Sequence, residues 1–189
     1  MIAGAGPGTT EAIGPTEVLA FWRAAAPDKW FEKDKTFDAE IALRFSGLWQ
    51  AGRDGTLAPW EETPEGALAL VIVLDQFPRN MFRGHRRAYE TDGAARSVAD
   101  RAIGRGFDRR IPHPERQFFY LPLMHSENLV DQERCVELAR GYDDEFMTYA
   151  VQHADVIRRF GRFPHRNATL GRATRPQEQA FLDAGGSAG

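Results

Sequence analysis

Arginine and asparagine side chains recur in two short stretches that echo each other, the first carrying a glutamine as well. Leu74-Asp75-Gln76-Phe77-Pro78-Arg79-Asn80, with Arg83 just beyond, is answered by Arg162-Phe163-Pro164-His165-Arg166-Asn167. The guanidinium fork matches the paired oxygens of carboxylate and phosphate. If the two stretches face each other, Gln76, Arg79, Asn80, Arg83, Arg162, Arg166 and Asn167 form a candidate binding set for an anionic small molecule or peptide. Asp75 and Glu127 would balance their charge. The same residues also suit a purely structural role, a salt-bridge network stitching helix ends together.

Proton-transfer chemistry has its own candidates. His125, His153 and His165 are the available bases, and Glu127 or Asp75 can orient one of them. A hydrolase or transferase acting on an anionic small molecule predicts a pocket in which a histidine lies within hydrogen-bond reach of a carboxylate. A pure binding site predicts an open groove or a rigid anion clamp without such a pair, and a helical interaction scaffold predicts a large exposed apolar patch. His125, Glu127 and His153 do not reproduce a strong zinc spacing such as His-Glu-x-x-His, so neither a metal nor another cofactor is expected. The single cysteine, Cys135, has no partner for an internal disulfide and reads as a plain buried thiol.

These side chains must be held by a chain of 189 residues with 42% hydrophobic content, enough for one domain with a substantial core. Net charge is −3 with a pI near 6.0, which carries no nucleic-acid footprint. No apolar run reaches membrane-spanning length, and the first residues lack the features of a signal peptide, so a cytoplasmic protein is expected. The oligomeric state is not encoded in any legible feature.

The periodicity predicts an all-α fold, with no stretch combining period-two alternation and hairpin turns. Residues 67–74 are apolar on every side and mark a central helix, started by Thr63, Pro64 and Glu65 and broken near Asp75-Gln76 by Pro78. Before it, Thr16 caps a short helix closed by Pro27, and a long amphipathic helix from about Thr36 carries Phe37, Ile41, Phe45, Leu48 and Trp49, whose rings are read as core. After it come a helix over 92–103 capped by Thr91, and an element over 115–124 interrupted by Pro122. Helices over 127–140, capped by Ser126, and over 143–160 follow, the latter turning His153 inward with Phe146, Tyr149, Ile157 and Phe160. A short helix over 177–182 closes the chain. Residues 16–183 form the single helical domain, and 1–15 and 184–189 read as disordered tails.

Four separated segments carry a resemblance. Trp30-Phe31-Glu32-Lys33-Asp34, Leu74-Asp75-Gln76-Phe77-Pro78-Arg79-Asn80, Leu121-Pro122-Leu123-Met124-His125-Ser126-Glu127 and the segment 159–167 closely resemble a widespread, mainly bacterial family of uncharacterised function. The match spans about residues 16–183. It implies a tetratricopeptide-like helical superfold and an antiparallel helical array, while bringing no assigned reaction, cofactor or catalytic residue.

Overall fold

The computed structural model describes residues 13–25 and 27–186; the parts of the expected tails over 1–12 and 187–189 lie outside the described residues. Among the described residues ten α-helices follow in order: α1 Pro15–Ala24, α2 Pro27–Trp30, α3 Lys35–Arg53, α4 Pro64–Val71, α5 Phe77–Met81, α6 Asp92–Gly104, α7 Gln117–Met124, α8 Leu129–Ala139, α9 Asp144–Phe160 and α10 Pro176–Asp183. Among the described residues there is no strand, as the periodicity predicts. No helix among them is long and apolar enough to cross a membrane.

The apolar run over 67–74 is buried throughout, which is why no amphipathic pattern marks it. Helices α1, α6 and α7 pack around α4, while α3 covers α5. Each fully buried Leu, Ile or Val on this helix stabilises the fold by about 1.5–3 kcal/mol. The start of α4 follows its sequence signals, with Thr63 Oγ1 accepting from Gly66 N at 3.1 Å and Pro64 in the first turn. Position 66 must lack a side chain, because a Cβ there would stand 2.1 Å from the Trp60 carbonyl oxygen.

The aromatic residues of α3, Phe37, Phe45 and Trp49, are core, as expected. Phe45 stacks on Phe77 with centroids 4.8 Å apart, Trp22 meets Phe77 at 5.8 Å, and Trp30 meets Phe118 edge-on at 4.9 Å. A smaller apolar cluster of Val156, Ile157, Phe160 and Phe163 packs with Leu129 and Phe181, and so joins α9, the start of α8 and α10.

The central helix does not break at Asp75-Gln76. A π-helical stretch, Ile72–Gln76, passes directly into α5, and Phe77 keeps helical dihedrals of −56° and −43° ahead of Pro78. The wider turn brings Phe77 N–H to the Ile72 carbonyl. Proline at 78 leaves Leu74 O without its usual amide donor, and Thr91 Oγ1 supplies a replacement at 2.5 Å. Thr91, itself hydrogen-bonded by Trp49 Nε1 at 3.1 Å, therefore makes no side-chain cap on α6.

Local capping differs from expectation elsewhere for the same reason: the hydroxyls are claimed by tertiary partners or by a better local geometry. Helix α1 starts one residue before Thr16, with Glu17 Oε2 accepting from Gly14 N at 2.9 Å. Asn128, not Ser126, caps α8, because Ser126 Oγ donates to Asp131 at 2.5 Å. Helix α7 continues through Pro122. Tyr149 is 49% exposed and stands off the buried face of α9 that carries His153.

Candidate functional site

Asp75 is the centre of the best-defined polar cluster. It lies in the π-helical turn with none of its surface exposed. One carboxylate oxygen, Oδ2, accepts from Gln76 Nε2 at 2.5 Å. The other, Oδ1, lies 2.9 Å from His125 Nδ1 and 3.2 Å from Arg79 Nη1. Burial pushes the Asp75 carboxyl up, but Arg79, His125 and Gln76 outweigh it and hold the group ionised. His125 is driven the other way, chiefly by burial and then by Arg79, against the pull of Asp75, so its imidazole is held neutral. A neutral ring bonded to an ionised carboxylate donates from Nδ1, which leaves Nε2 as the basic nitrogen. The His125 side chain is 17% exposed, and Nε2 has no hydrogen-bond partner among the described residues.

Two arginines border this pair from opposite elements. Arg79 donates to its own helix at Asp75 O (2.6 Å) and forks onto Asp92 at 3.0 and 3.2 Å. Arg166 arrives from the 3₁₀ turn Pro164–Arg166 and donates to His125 O at 3.0 Å. Its guanidinium lies between two rings, 4.8 Å from the centroid of Tyr89 and 4.5 Å from that of Phe163. Its nearest carboxylate, Asp92, stands 3.7 Å away, and its buried Nε has no hydrogen-bond partner. Burial and the neighbouring Arg79 pull its pKa down to about 10.

The remaining histidines stand close to this group. His153 Nδ1 donates to Tyr149 O at 2.8 Å, and its ring meets Phe163 edge-on at 5.7 Å. His165 lies against the same phenylalanine at 5.6 Å. Burial lowers both to about 4, and Arg166 and His125 reinforce the shift in each. Glu127 is engaged elsewhere, accepting from Phe163 N at 2.8 Å and pairing with the Arg172 fork at 2.6 and 2.9 Å.

The sequence set thus divides into three places. Gln76 and Arg79 join Asp75, and Arg166 meets them across Asp92. Asn80 and Arg83 instead turn to Asp38, which Asn80 bonds at 2.8 Å and Arg83 forks at 2.5 and 2.9 Å. Arg162 forks onto the fully buried Glu178 at 2.7 and 2.8 Å, and Asn167 adds a bond to it at 3.1 Å. The expected convergence of all four arginines on one anion is therefore not formed, because two of them are neutralised by carboxylates from α3 and α10. Sequence reasoning missed Asp38, Tyr89, Asp92, Arg172 and Glu178 as partners. Only the first-turn acids Asp38, Asp92 and Glu178 carried a signal, and a first-turn acid ordinarily serves the helix dipole.

Among the described residues no group of three or more His, Cys, Asp or Glu is placed to hold a metal ion. Cys135 is buried, bonds Tyr120 O at 3.6 Å, and has its thiol pushed up to about 12 by burial. It fits the plain buried thiol expected of it.

The chain belongs to a family described as bacterial protein of unknown function (DUF924), whose model matches residues 18–186. A solved structure from Agrobacterium tumefaciens, titled as protein of unknown function ATU0120, is similar to it. The two chains share 43% identity with a TM-score of 0.88, over 90% of this chain and 97% of that one. No curated protein matches.

Proposed function

We propose that the protein binds a small anionic molecule, bearing a carboxylate or phosphate, where Arg166 and His125 meet beside Asp92 and Tyr89. Arg166 carries this reading. Arg79, Arg83 and Arg162 each fork onto a carboxylate, whereas Arg166, only 6% exposed, approaches none closer than 3.7 Å and keeps Nε unpaired. A buried cation without a close counter-ion gains most from an anion. A tetratricopeptide-like arrangement and a cytoplasmic setting belong to this proposal as well.

Titration calorimetry with inorganic phosphate and with citrate tests it. Arg166→Gln should weaken binding by about 10–100-fold, the worth of a charge-assisted hydrogen bond. Asp92→Asn should tighten it by removing a competing carboxylate. A purely structural network predicts no binding in any of the three proteins, and that result would sink the proposal.

The 2.9 Å bond between Asp75 and His125 favours a second reading, hydrolysis or group transfer on the same anion. Asp75 fixes the ring and its tautomer, and Nε2 is left to take a proton from water or a substrate hydroxyl. Arg166 would meet charge developing on the acceptor oxygen. Turnover of p-nitrophenyl phosphate or acetate should fall by about 100-fold or more in His125→Asn, on the usual scale of general-base contributions. Equal rates in the two proteins would leave binding alone.

A further inference from the structure

Two groups at the Arg166 and His125 junction have opposite hydrogen-bonding character, and both can be reached from outside. The first is the arginine. Its Nη1 donates to His125 O at 3.0 Å, while Nη2 has no hydrogen-bond partner among the described residues and is not fully buried. Asp92, the nearest carboxylate, takes the fork of Arg79 and stays 3.7 Å from Arg166. Nη2 is thus a charged donor free to meet a ligand.

The second group is the ring of His125. Its Nδ1 lies 2.9 Å from Asp75 Oδ1, an ionised carboxylate oxygen that can only accept, so Nδ1 carries the ring proton. Gln76 and Arg79 hold that carboxylate in place. Nε2 therefore presents a lone pair, and it too lacks a partner among the described residues and is not fully buried. A deprotonated carboxylate or phosphate oxygen set against this lone pair is one acceptor facing another, and the contact is repulsive. A hydroxyl can donate to it. The two groups are neighbours, since Arg166 bonds the backbone carbonyl of the residue whose ring supplies the lone pair.

We infer that the ligand is a small 2-hydroxycarboxylate, its carboxylate held by Arg166 Nη2 and its hydroxyl donating to His125 Nε2. Hydroxyl and carboxylate on adjacent carbons bring a donor and an acceptor side by side in one small molecule. The inference rests on the anion reading proposed above and narrows it, because a plain carboxylate leaves Nε2 unpaired.

Calorimetry on the full-length protein with matched pairs tests it: glycolate against acetate, each enantiomer of lactate against propionate, and citrate against tricarballylate. In at least one pair the hydroxyl-bearing member should bind about 10-fold or more tightly, the scale of leaving a partly buried acceptor unsatisfied. Near neutral pH its binding enthalpy should be the same in buffers of low and high ionisation enthalpy, because the ring accepts a hydrogen bond and takes up no proton. That measurement needs no variant. His125→Phe should bring the two members of the pair to equal affinity, whereas Arg166→Gln should weaken both and keep their ratio. Equal binding within every pair overturns the inference and leaves the Arg166 reading standing, as does binding of phosphate with no hydroxy acid bound. Proton uptake with the hydroxy acid, or a preference that survives His125→Phe, also overturns it. Failure of every anion, phosphate included, overturns both readings.

Discussion

The two Phe-Pro segments look alike in sequence and behave oppositely in the fold. Around Pro78 the charges and the freed carbonyl are partnered: Leu74 O takes Thr91, Asp75 takes Gln76, His125 and Arg79, and Arg79 takes Asp92. Around Pro164 the chain has left its helix at Gly161, and the turn that follows places Arg166 between two rings instead of on a carboxylate. The extra residue, His165, separates the cases. It advances the arginine by one position on a backbone that is turning, so the guanidinium points inward where Arg79 points along its own helix to Asp92. One segment is a closed joint; the other leaves a cation without a close carboxylate.

Breaking the closed joint should have the largest effect. Asp75→Ala removes the buried carboxylate that Arg79 and His125 share, and stability in urea should fall by about 3–5 kcal/mol, the usual cost of stranding half of a buried ion pair. A loss below about 1 kcal/mol would mean that Asp92 alone neutralises Arg79.

Acid should loosen the open segment next. His153 and His165 titrate near 4 in the folded protein against 6.5 in the unfolded chain. Between those values the unfolded chain binds protons that the folded one does not, so stability is full above about pH 6.5, declines as pH falls, and levels off near pH 4. Replacing His153 with Gln should flatten this part of the urea-midpoint profile. An unchanged slope would place the acid sensitivity elsewhere.

Thr91→Val is a finer cut at the closed joint. It leaves Leu74 O buried without a donor and should cost about 1–3 kcal/mol, while Thr91→Ser should cost much less. Equal losses in both would show that the methyl group, not the hydroxyl, is what matters there.

The smallest expected effect is at the exit from α9. Gly161 has φ of 72° and open space around its missing Cβ, so Gly161→Ala should cost about 1–2 kcal/mol through backbone strain alone. A null result in chemical unfolding would mean that the turn can re-form with ordinary dihedrals, and that the inward aim of Arg166 does not depend on it.

Much of the helical frame was legible because it rests on local rules. The all-apolar run over 67–74 announces a surrounded helix, Thr63-Pro64 starts it, and the helix expected over 143–160 is α9, Asp144–Phe160, left by the chain at Gly161. Pairing His125 with Asp75 was within reach as a candidate, since a histidine and a carboxylate suit proton transfer, but fifty positions separate them. The partners of the arginines were not legible. Asp38, Asp92 and Glu178 sit in first helical turns where an acid already has a local explanation, and nothing in the chain says that each also faces an arginine.

The sequence by itself determined that this chain is helical, where its core helix runs, and which residue types could meet an anion or move a proton. Tertiary structure alone decided that Pro78 is absorbed and not a break, because Thr91 repairs the carbonyl that proline orphans. It also decided that one arginine of four stays without a close carboxylate. Periodicity and capping act within a turn or two of chain, whereas the neutralisation of a buried charge depends on whichever distant side chain the packing brings within about 3 Å.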